Sequence, residues 1–189
     1  MSIDWQTIIR HFYKDEPELE KLLLKHSAQV RDKALEIAAA SGCAADKELV
    51  IAGAMLHDIG IIGCHAPDIL CNGKAHYITH GIIGSRMLAE YGKAHDLDLS
   101  ACCRICERHT GSGLTAADIS AQNLPLPAQD LLPESTEEKL ICLADKFFSK
   151  SGSMQAKSIE KICRSMQKHG TASLERFHAL CADFGIKVQ

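Results

Sequence analysis

Apolar residues recur along the chain with the three-and-four spacing of amphipathic α-helices. The clearest case is the segment 15–42, in which Pro17 suits a first turn, Gly42 is placed as a stop, and His26 is a polar exception on the apolar face. The apolar face consists of Leu19, Leu22, Leu23, Val30, Ile37 and Ala38. This pattern predicts one long helix.

A second helical segment, 46–60, ends in the sequence HDIG. Asp46 is suited to the N-cap of this helix, and Gly60 is placed to let the chain leave it in a left-handed conformation. The pattern therefore predicts that His57 and Asp58 lie in the last turn of a buried helix.

Helical patterns continue through the rest of the chain, and no segment alternates convincingly as a β-strand would. They cover 78–91, 98–109, 135–150, 155–168 and 171–184. Ser135 and Glu138 have the spacing of a capping box. Two long connections, 61–77 and 110–134, are expected to be binding loops or lids. We predict an all-α protein with one domain over residues 1–189, whose core spans about 22–150 and carries the C-terminal helices 155–184.

Length and composition agree with one domain and exclude several classes of function. The 189 residues are 46% hydrophobic and 24% charged, which suits a globular domain with a sizeable core. The net charge of −3 gives no general attraction to nucleic acid or to anionic membranes. The longest apolar or glycine run, 49–56, is far shorter than the ~20 residues that span a bilayer, and the N-terminus lacks a signal core. We expect a cytoplasmic protein without stable binding to nucleic acid or membrane, and a homodimer remains open.

Nine cysteines, an odd number in a chain without an export signal, indicate reduced thiols. Cys103 and Cys106 form a CxxC pair that could bind zinc together with His109, but no second CxxC pair is present. In a helix, Cys102 and Cys106 share a face with apolar neighbours, where free cysteine behaves as a small hydrophobic residue. We therefore expect these cysteines to pack rather than to bind metal.

Histidine and aspartate occur as polar exceptions inside several apolar helices. Asp58 directly follows His57 at the end of an apolar run, and a buried carboxylate costs several kcal/mol unless it is paired or coordinates a metal. The dipeptide alone fits a satisfied core pair equally well. The other exceptions are His26, His80, His109 and Asp145. Six nitrogen and oxygen donors that converge would suit a borderline or hard cation rather than a thiolate zinc site.

In this order, His26, His57-Asp58 and Asp145 resemble the H…HD…D signature of the HD-domain metal-dependent phosphohydrolases. The sequence HDIG at 57–60 is similar to the hallmark of the HDIG branch, including its small stand-alone members. The resemblance covers about residues 22–150 and implies an all-α helical bundle with a metal site between its helices. His80 and His109 match the positions that hold a second metal in dinuclear members.

The resemblance implies a phosphohydrolase that attacks a nucleotide or a related small phosphate ester with a metal-activated water. His26, His57, Asp58 and Asp145 would hold one ion, and Asp58 would bridge to a second ion held by His80 and His109. Such donors accept iron, manganese, cobalt, nickel or zinc.

The resemblance leaves the reaction open among a phosphomonoesterase, a phosphodiesterase and a dinucleoside polyphosphate hydrolase. The segment HTGSG at 109–113 is similar to one in dinucleoside polyphosphate hydrolases, and the GYP signature of the cyclic-dinucleotide phosphodiesterases is absent, which speaks against cyclic-di-GMP.

Catalysis also needs cations that hold the phosphate. Lys146, beside Asp145, and Arg86, beyond His80, are candidate phosphate clamps, with ordinary solvated charges as the alternative. His65 and His76, in the loop after HDIG, could line the substrate mouth or be ordinary loop residues.

Two other classes of function remain open at this point. One is a regulatory or binding module that keeps the metal for stability alone, and the other is a di-iron oxygenase on the same scaffold. A module without turnover would usually have lost ligands, and all six are present, so the enzyme is favoured.

Overall fold

The computed structural model describes residues 3–152 and 154–188, in which the chain forms nine α-helices. The helices are α1 (Trp5–Tyr13), α2 (Pro17–Ser41), α3 (Lys47–Leu56), α4 (His80–His95), α5 (Ser100–Arg108), α6 (Ala116–Ala121), α7 (Thr136–Lys146), α8 (Ile159–Gln167) and α9 (Thr171–Asp183). Two short antiparallel strands, β1 (His65–Ala66) and β2 (Cys71–Asn72), form the one small sheet of the described chain. The prediction of an all-α class is confirmed.

Local sequence signals determine several helix ends as predicted. Pro17 occupies the first turn of α2, and Gly42 caps its other end with φ 65°. Asp46 accepts hydrogen bonds from two backbone amides at the start of α3. Ser135 and Glu138 form both bonds of a capping box at the start of α7.

Other boundaries differ from the prediction. Helix α1 was not predicted, although Ile8, Ile9 and Tyr13 are buried on one of its faces. Helix α7 ends at Lys146 instead of 150, and α8 begins at Ile159 instead of 155. The connection 110–134 contains the short helix α6. None of the helices in the described residues is long and apolar enough to cross a membrane.

Two groups of buried apolar side chains form most of the core. One surrounds α7 and joins it to α2, α3, α5, α8 and α9. The other joins α1, the beginning of α2, α3, α4 and α5. Helix α3 contributes to both groups, with Val50 and Ala54 in the first and Ala52 and Leu56 in the second. The end of α3 therefore lies deep in the molecule.

The prediction that Gly60 adopts a left-handed conformation at the end of α3 is wrong. Gly60 lies in a 3-10 helix, Ile59–Gly63, and its φ is not positive. The physical reason for glycine here is space. A Cβ at Gly60 would lie 2.1 Å from the carbonyl oxygen of His80 and 2.3 Å from the amide nitrogen of Gly84. A Cβ at Gly81 would lie 2.3 Å from the carbonyl oxygen of Cys106. These close backbone contacts bring the start of α4 against both the HDIG turn and α5.

Candidate metal centre

Six side chains from five helical segments meet in the interior. They are His26 in α2, His57 and Asp58 directly after α3, His80 at the start of α4, His109 directly after α5, and Asp145 in the last turn of α7. The four histidines and Asp58 are at most 5% exposed, and the side chain of Asp145 is 15% exposed. The structure thus brings together all six residues that the sequence suggested as metal ligands.

The carboxylate of Asp58 lies between two groups of donors. Its Oδ2 atom is 3.2 Å from His26 Nε2 and 3.0 Å from His57 Nε2. Its Oδ1 atom is 3.4 Å from His80 Nε2 and 3.4 Å from His109 Nε2. Each oxygen therefore faces a different pair of imidazoles.

Asp145 belongs to the same group of donors as His26 and His57. Its Oδ1 atom is 3.0 Å from His26 Nε2 and 3.6 Å from His57 Nε2. One atom from each of His26, His57, Asp58 and Asp145 lies within 4.8 Å of the other three, and the same limit holds for Asp58, His80 and His109.

Backbone hydrogen bonds orient three of the four imidazoles. The Nδ1 atoms of His57, His80 and His109 each donate to the carbonyl three residues earlier, at 2.7, 2.7 and 2.8 Å. In the neutral ring this places the lone pair on Nε2, which points to Asp58, and such outer bonds are typical of metal-ligating histidines. The Nε2 atoms of His80 and His109 are only 2.9 Å apart. Two facing lone pairs at this distance repel each other unless a cation or a proton lies beside them.

Several buried polar atoms of the centre lack hydrogen bonds. Within the described residues, His26 Nδ1, His57 Nε2 and both carboxylate oxygens of Asp58 make no hydrogen bond of acceptable geometry. Buried polar atoms are normally satisfied, and an unsatisfied one costs about 1–3 kcal/mol. Of these atoms, Asp58 Oδ1 faces the imidazoles of His80 and His109, and a carboxylate oxygen beside two neutral imidazoles is chemically suited to coordinate a cation.

The protonation states also suit cation binding. Burial by itself would raise the pKa of Asp58, but the charges of His57 and Lys150 hold that pKa well below its usual range. Burial, reinforced by neighbouring His109, lowers the pKa of His80 to about 3. Burial also lowers the pKa of His109. At neutral pH the Asp58 carboxylate is charged and these two imidazoles are neutral.

His57 behaves differently from His80 and His109. Burial by itself would lower its pKa, but Asp58 and Asp145 raise that pKa to about 9. A proton on His57 therefore balances part of the carboxylate charge in the metal-free protein.

Two lysines reach the centre. The ammonium of Lys150 lies 2.5 Å from Asp58 Oδ2, and that of Lys146 lies 2.8 Å from Asp145 Oδ2 and donates to the carbonyl of His109 at 3.0 Å. Lys146 was among the residues predicted from the sequence, but Lys150 was not. Its position four residues after Lys146 was the available signal, because a continued helix would have placed both on one face.

Two tyrosines support the centre and were also missed. The hydroxyl of Tyr13 in α1 donates to the carbonyl of Ile59 at 2.7 Å, which holds the turn directly after Asp58. The ring of Tyr77 stacks on His80 with 4.9 Å between ring centroids. Nothing in the sequence distinguishes these two tyrosines from aromatic residues that only pack in the core.

Other candidate residues lie elsewhere. Arg86 is exposed six residues beyond His80 in α4, and it makes no ion pair or hydrogen bond within residues 3–152 and 154–188. His65 is exposed in β1, whereas His76 lines a cavity beside the centre.

Cys102 and Cys106 are fully buried among apolar side chains, and no cysteine belongs to either donor group in the described chain.

Comparison with known proteins identifies the type of domain. A family model described as HD domain matches residues 23–149. The chain is 37% identical over 130 residues to a tRNA (cytidine(56)-2'-O)-methyltransferase of Picrophilus torridus, and 33% identical over 127 residues to the protein of the same name in Thermoplasma volcanium. It is 36% identical over 126 residues to an uncharacterised protein of Methanocaldococcus jannaschii. No solved structure gives a significant match.

These relatives are longer than the matching segment. The alignments cover 69%, 67% and 65% of this chain in the Picrophilus, Thermoplasma and Methanocaldococcus proteins, respectively. They cover only 32% of each methyltransferase and 64% of the Methanocaldococcus protein. The matching segment is therefore a part of each relative.

Proposed function

The chain belongs to the HD-domain family, and on that premise we propose that it is a metal-dependent phosphohydrolase that acts on a small phosphate ester. The observation that carries the proposal is the position of Asp58, whose two oxygens face two separate donor groups. A structural core pair would need one partner for each oxygen, not two sets of imidazoles. The arrangement favours a centre for two divalent ions from the series iron, manganese, cobalt, nickel and zinc.

The donor set fits such ions. His26, His57, Asp58 and Asp145 would hold one ion, and Asp58, His80 and His109 would hold the other. Bound divalent cations supply Lewis-acid charge, which polarises phosphoryl oxygens and lowers the pKa of water. The side chains must bring the ester to this charge and exclude competing groups.

Two lysines are placed to hold the phosphate. Lys146 is buried and forms an ion pair with Asp145. The side chain of Asp145 is partly exposed, so the centre is accessible to solvent on this side. Lys150 would lose its partner once Asp58 coordinates a cation, and its ammonium would then be available for a phosphate oxygen. Cations in this position bind phosphate as point charges.

Attack by water is favoured over attack by a protein thiol. Two cysteines contact His109: the carbonyl of Cys106 accepts a hydrogen bond from His109 Nδ1 at 2.8 Å, and the thiol of Cys142 lies 3.5 Å from the carbonyl of His109. Burial raises the pKa of Cys142 to about 11 and that of Cys106 well above its ordinary value. Both thiols stay protonated at neutral pH, and only the thiolate is a nucleophile.

Methyl transfer is not proposed for this chain. The two relatives that bear the name of a methyltransferase share only 32% of their length with it. The six donors and two lysines at the centre suit a phosphate ester and metal ions instead.

The test combines metal analysis with hydrolysis. Protein purified without chelator is analysed for metal and assayed for phosphate release from monoesters, diesters and dinucleoside polyphosphates. The Asp58→Asn variant should bind neither ion, and its turnover should fall at least a thousandfold, because the shared carboxylate becomes an amide. The matched control is Asp183→Asn, which removes an exposed carboxylate whose one ion-pair partner among residues 3–152 and 154–188 is Lys139.

The outcomes separate the classes of function. Less than one ion per chain in metal-replete medium, or full turnover by Asp58→Asn, would overturn the proposal. Two bound ions without hydrolysis of any ester would indicate a regulatory or binding module. Oxygen consumption by iron-reconstituted protein would indicate an oxygenase.

A further inference from the structure

Helix α8 carries a row of basic side chains on its exposed face. Lys161, Arg164 and Lys168 are exposed, and their spacing of three and four residues places them on one side of the helix. Lys168 caps the end of α8 and keeps the right-handed helical conformation. At a rise of about 1.5 Å per residue, the three positions span about 10 Å along the helix. We name these three side chains the basic row.

The basic row is not neutralised by acidic partners. Within the described ranges 3–152 and 154–188, none of its three cations forms an ion pair. In α2, by contrast, Lys21, Arg31 and Lys33 each form an ion pair with an acid close in the sequence. Glu160, four residues before Arg164, is the acid that lies beside the row. The charge of the row therefore remains available to a partner.

The segment around the row has the opposite charge to the chain as a whole. Residues 157–169 contain three lysines, one arginine and one acid, which gives a formal charge of +3, whereas the whole chain carries −3. Charges act at the surface over a Debye length of about 8 Å at physiological salt, so the local charge decides what binds here. The low net charge excludes a general attraction to polyanions, but it does not exclude weak binding at this segment.

The surroundings of the basic row decide which polyanion it suits. All four apolar side chains of α8 lie in the core or pack against it: Ile159, Ile162, Cys163 and Met166. The helix therefore lacks a free apolar face that could enter a membrane. An acidic protein segment would need an apolar anchor near the middle of its interface, and the neighbours of the row on the exposed face are the polar Ser165 and Gln167.

A nucleic-acid backbone matches these features. It carries one charge per nucleotide and binds lysine and arginine without an apolar anchor. RNA also has a 2′-hydroxyl, which both donates and accepts hydrogen bonds. Ser165 and Gln167 offer a hydroxyl and an amide for it, and neither side chain makes a hydrogen bond in the part of the chain that the structure describes. These two flanking groups favour RNA over DNA.

We propose that the basic row of α8 is a docking surface for RNA and contacts about three backbone phosphates. Helix α8 lies outside residues 23–149, which match the HD-domain model, so this surface belongs to the C-terminal part of the chain. The binding is weak and depends on salt, because three phosphate contacts supply little affinity. Docking on α8 needs no hydrolysis, so the inference goes beyond the proposed function and does not depend on it.

The test is fluorescence anisotropy with the metal-loaded full chain. The probe is a labelled single-stranded oligoribonucleotide with phosphorothioate linkages, which keep the charge and are hydrolysed slowly. We expect the logarithm of the affinity to fall with the logarithm of the salt concentration with a slope of about −2, because each phosphate contact on a single strand contributes about −0.7. The affinity should therefore fall about twentyfold between about 50 and 200 mM salt.

Variants of α8 assign this binding to the basic row. Lys161→Gln, Arg164→Gln and Lys168→Gln should each reduce the salt slope by about 0.7, and the triple variant should lose RNA binding. Glu160→Gln should tighten binding about twofold, because it removes the acid beside the row. The matched control is a triple variant that removes three exposed lysines elsewhere: Lys14→Gln, Lys47→Gln and Lys93→Gln. It changes the net charge equally and should keep both affinity and slope.

Other results would overturn the inference. Unchanged RNA binding by the α8 triple variant would do so, as would an equal loss by the control variant with both melting temperatures unchanged. Equal binding of DNA of the same sequence would remove the preference for RNA. Tighter binding of polyglutamate would assign the row to an acidic protein, and tighter binding of phosphatidylserine vesicles would assign it to a membrane.

The two proposals fail separately. RNA binding by a chain that hydrolyses no phosphate ester would contradict the proposed function alone. Hydrolysis of small esters by a chain that binds no RNA would contradict this inference alone. If both proposals hold, the α8 triple variant should hydrolyse small esters at the full rate, because its exposed cations lie outside the metal centre.

Discussion

Replacement of Lys150 by methionine should destabilise the metal-free protein much more than the metal-loaded protein. The Lys150 ammonium lies 2.5 Å from a carboxylate that is fully buried, and the lysine side chain itself is only 12% exposed. Removing one partner of a buried ion pair costs about 3–5 kcal/mol, because the other charge stays buried. In a chain of this size each kcal/mol lowers the melting temperature by roughly 2–4 °C, so the metal-free variant should melt about 6–20 °C lower.

Bound metal should change this result, because on the proposed function a cation would become the partner of Asp58. With the centre loaded, Lys150→Met should lower the melting temperature by only a few degrees, and the ions should bind at least tenfold more tightly because the competing ammonium is gone. The assay is thermal unfolding followed by circular dichroism, with and without EDTA, together with a metal titration.

A surface ion pair provides the control for this experiment. Lys139→Met removes the partner of Asp183 at 2.8 Å, where both side chains are more than 30% exposed. Such pairs contribute about 0–1 kcal/mol, so the effect should be small with or without metal. If Lys150→Met lowers the melting temperature equally with and without metal, the reasoning is refuted. That result would show that Lys150 stabilises the fold without competing with a cation for Asp58.

Three further results are expected. Chelation by EDTA should lower the melting temperature of the natural protein, because ions that bind the native state stabilise it by mass action; an unchanged curve after verified metal removal would contradict this. His109→Ala should reduce bound metal from about two ions per chain toward one, whereas Asp145→Ala should strip the other ion, and elemental analysis distinguishes this from a loss of stability with full metal content. Gly60→Ala should cost about 3 kcal/mol or more, because its Cβ would overlap backbone atoms at 2.1 and 2.3 Å. Gly42→Ala, a left-handed position with no neighbour within 4 Å, should cost only about 1 kcal/mol in denaturant unfolding, and equal losses would argue against the close contact.

The helical class and the six side chains that meet in the interior could be predicted from the sequence. Helix periodicity and caps such as Asp46 and Gly42 act over a few residues, so they can be recognised without the fold. Polar residues within apolar helices, such as His26 and Asp145, are recognisable for the same reason. These signals are local, and the structure confirms the helices that they predict.

The short elements could not be predicted, because packing determines them. Helix α1 has nine residues and α6 has six, and helices of this length are marginal in isolation. Burial of Tyr13 and its bond to the carbonyl of Ile59 stabilise α1, and these contacts span 46 residues of sequence. The role of Gly60 was mistaken for the same reason, since the backbone that it contacts comes from α4.

The sequence by itself determined which residues could hold a metal and that helices would carry them. Only the tertiary structure decided that the two oxygens of Asp58 face different imidazoles, that Lys150 instead of Arg86 reaches this carboxylate, and that a cavity adjoins the centre. The physical reason is that propensity and capping depend on neighbours in the chain. Distances between donors depend on how whole helices pack, and no local pattern contains that information.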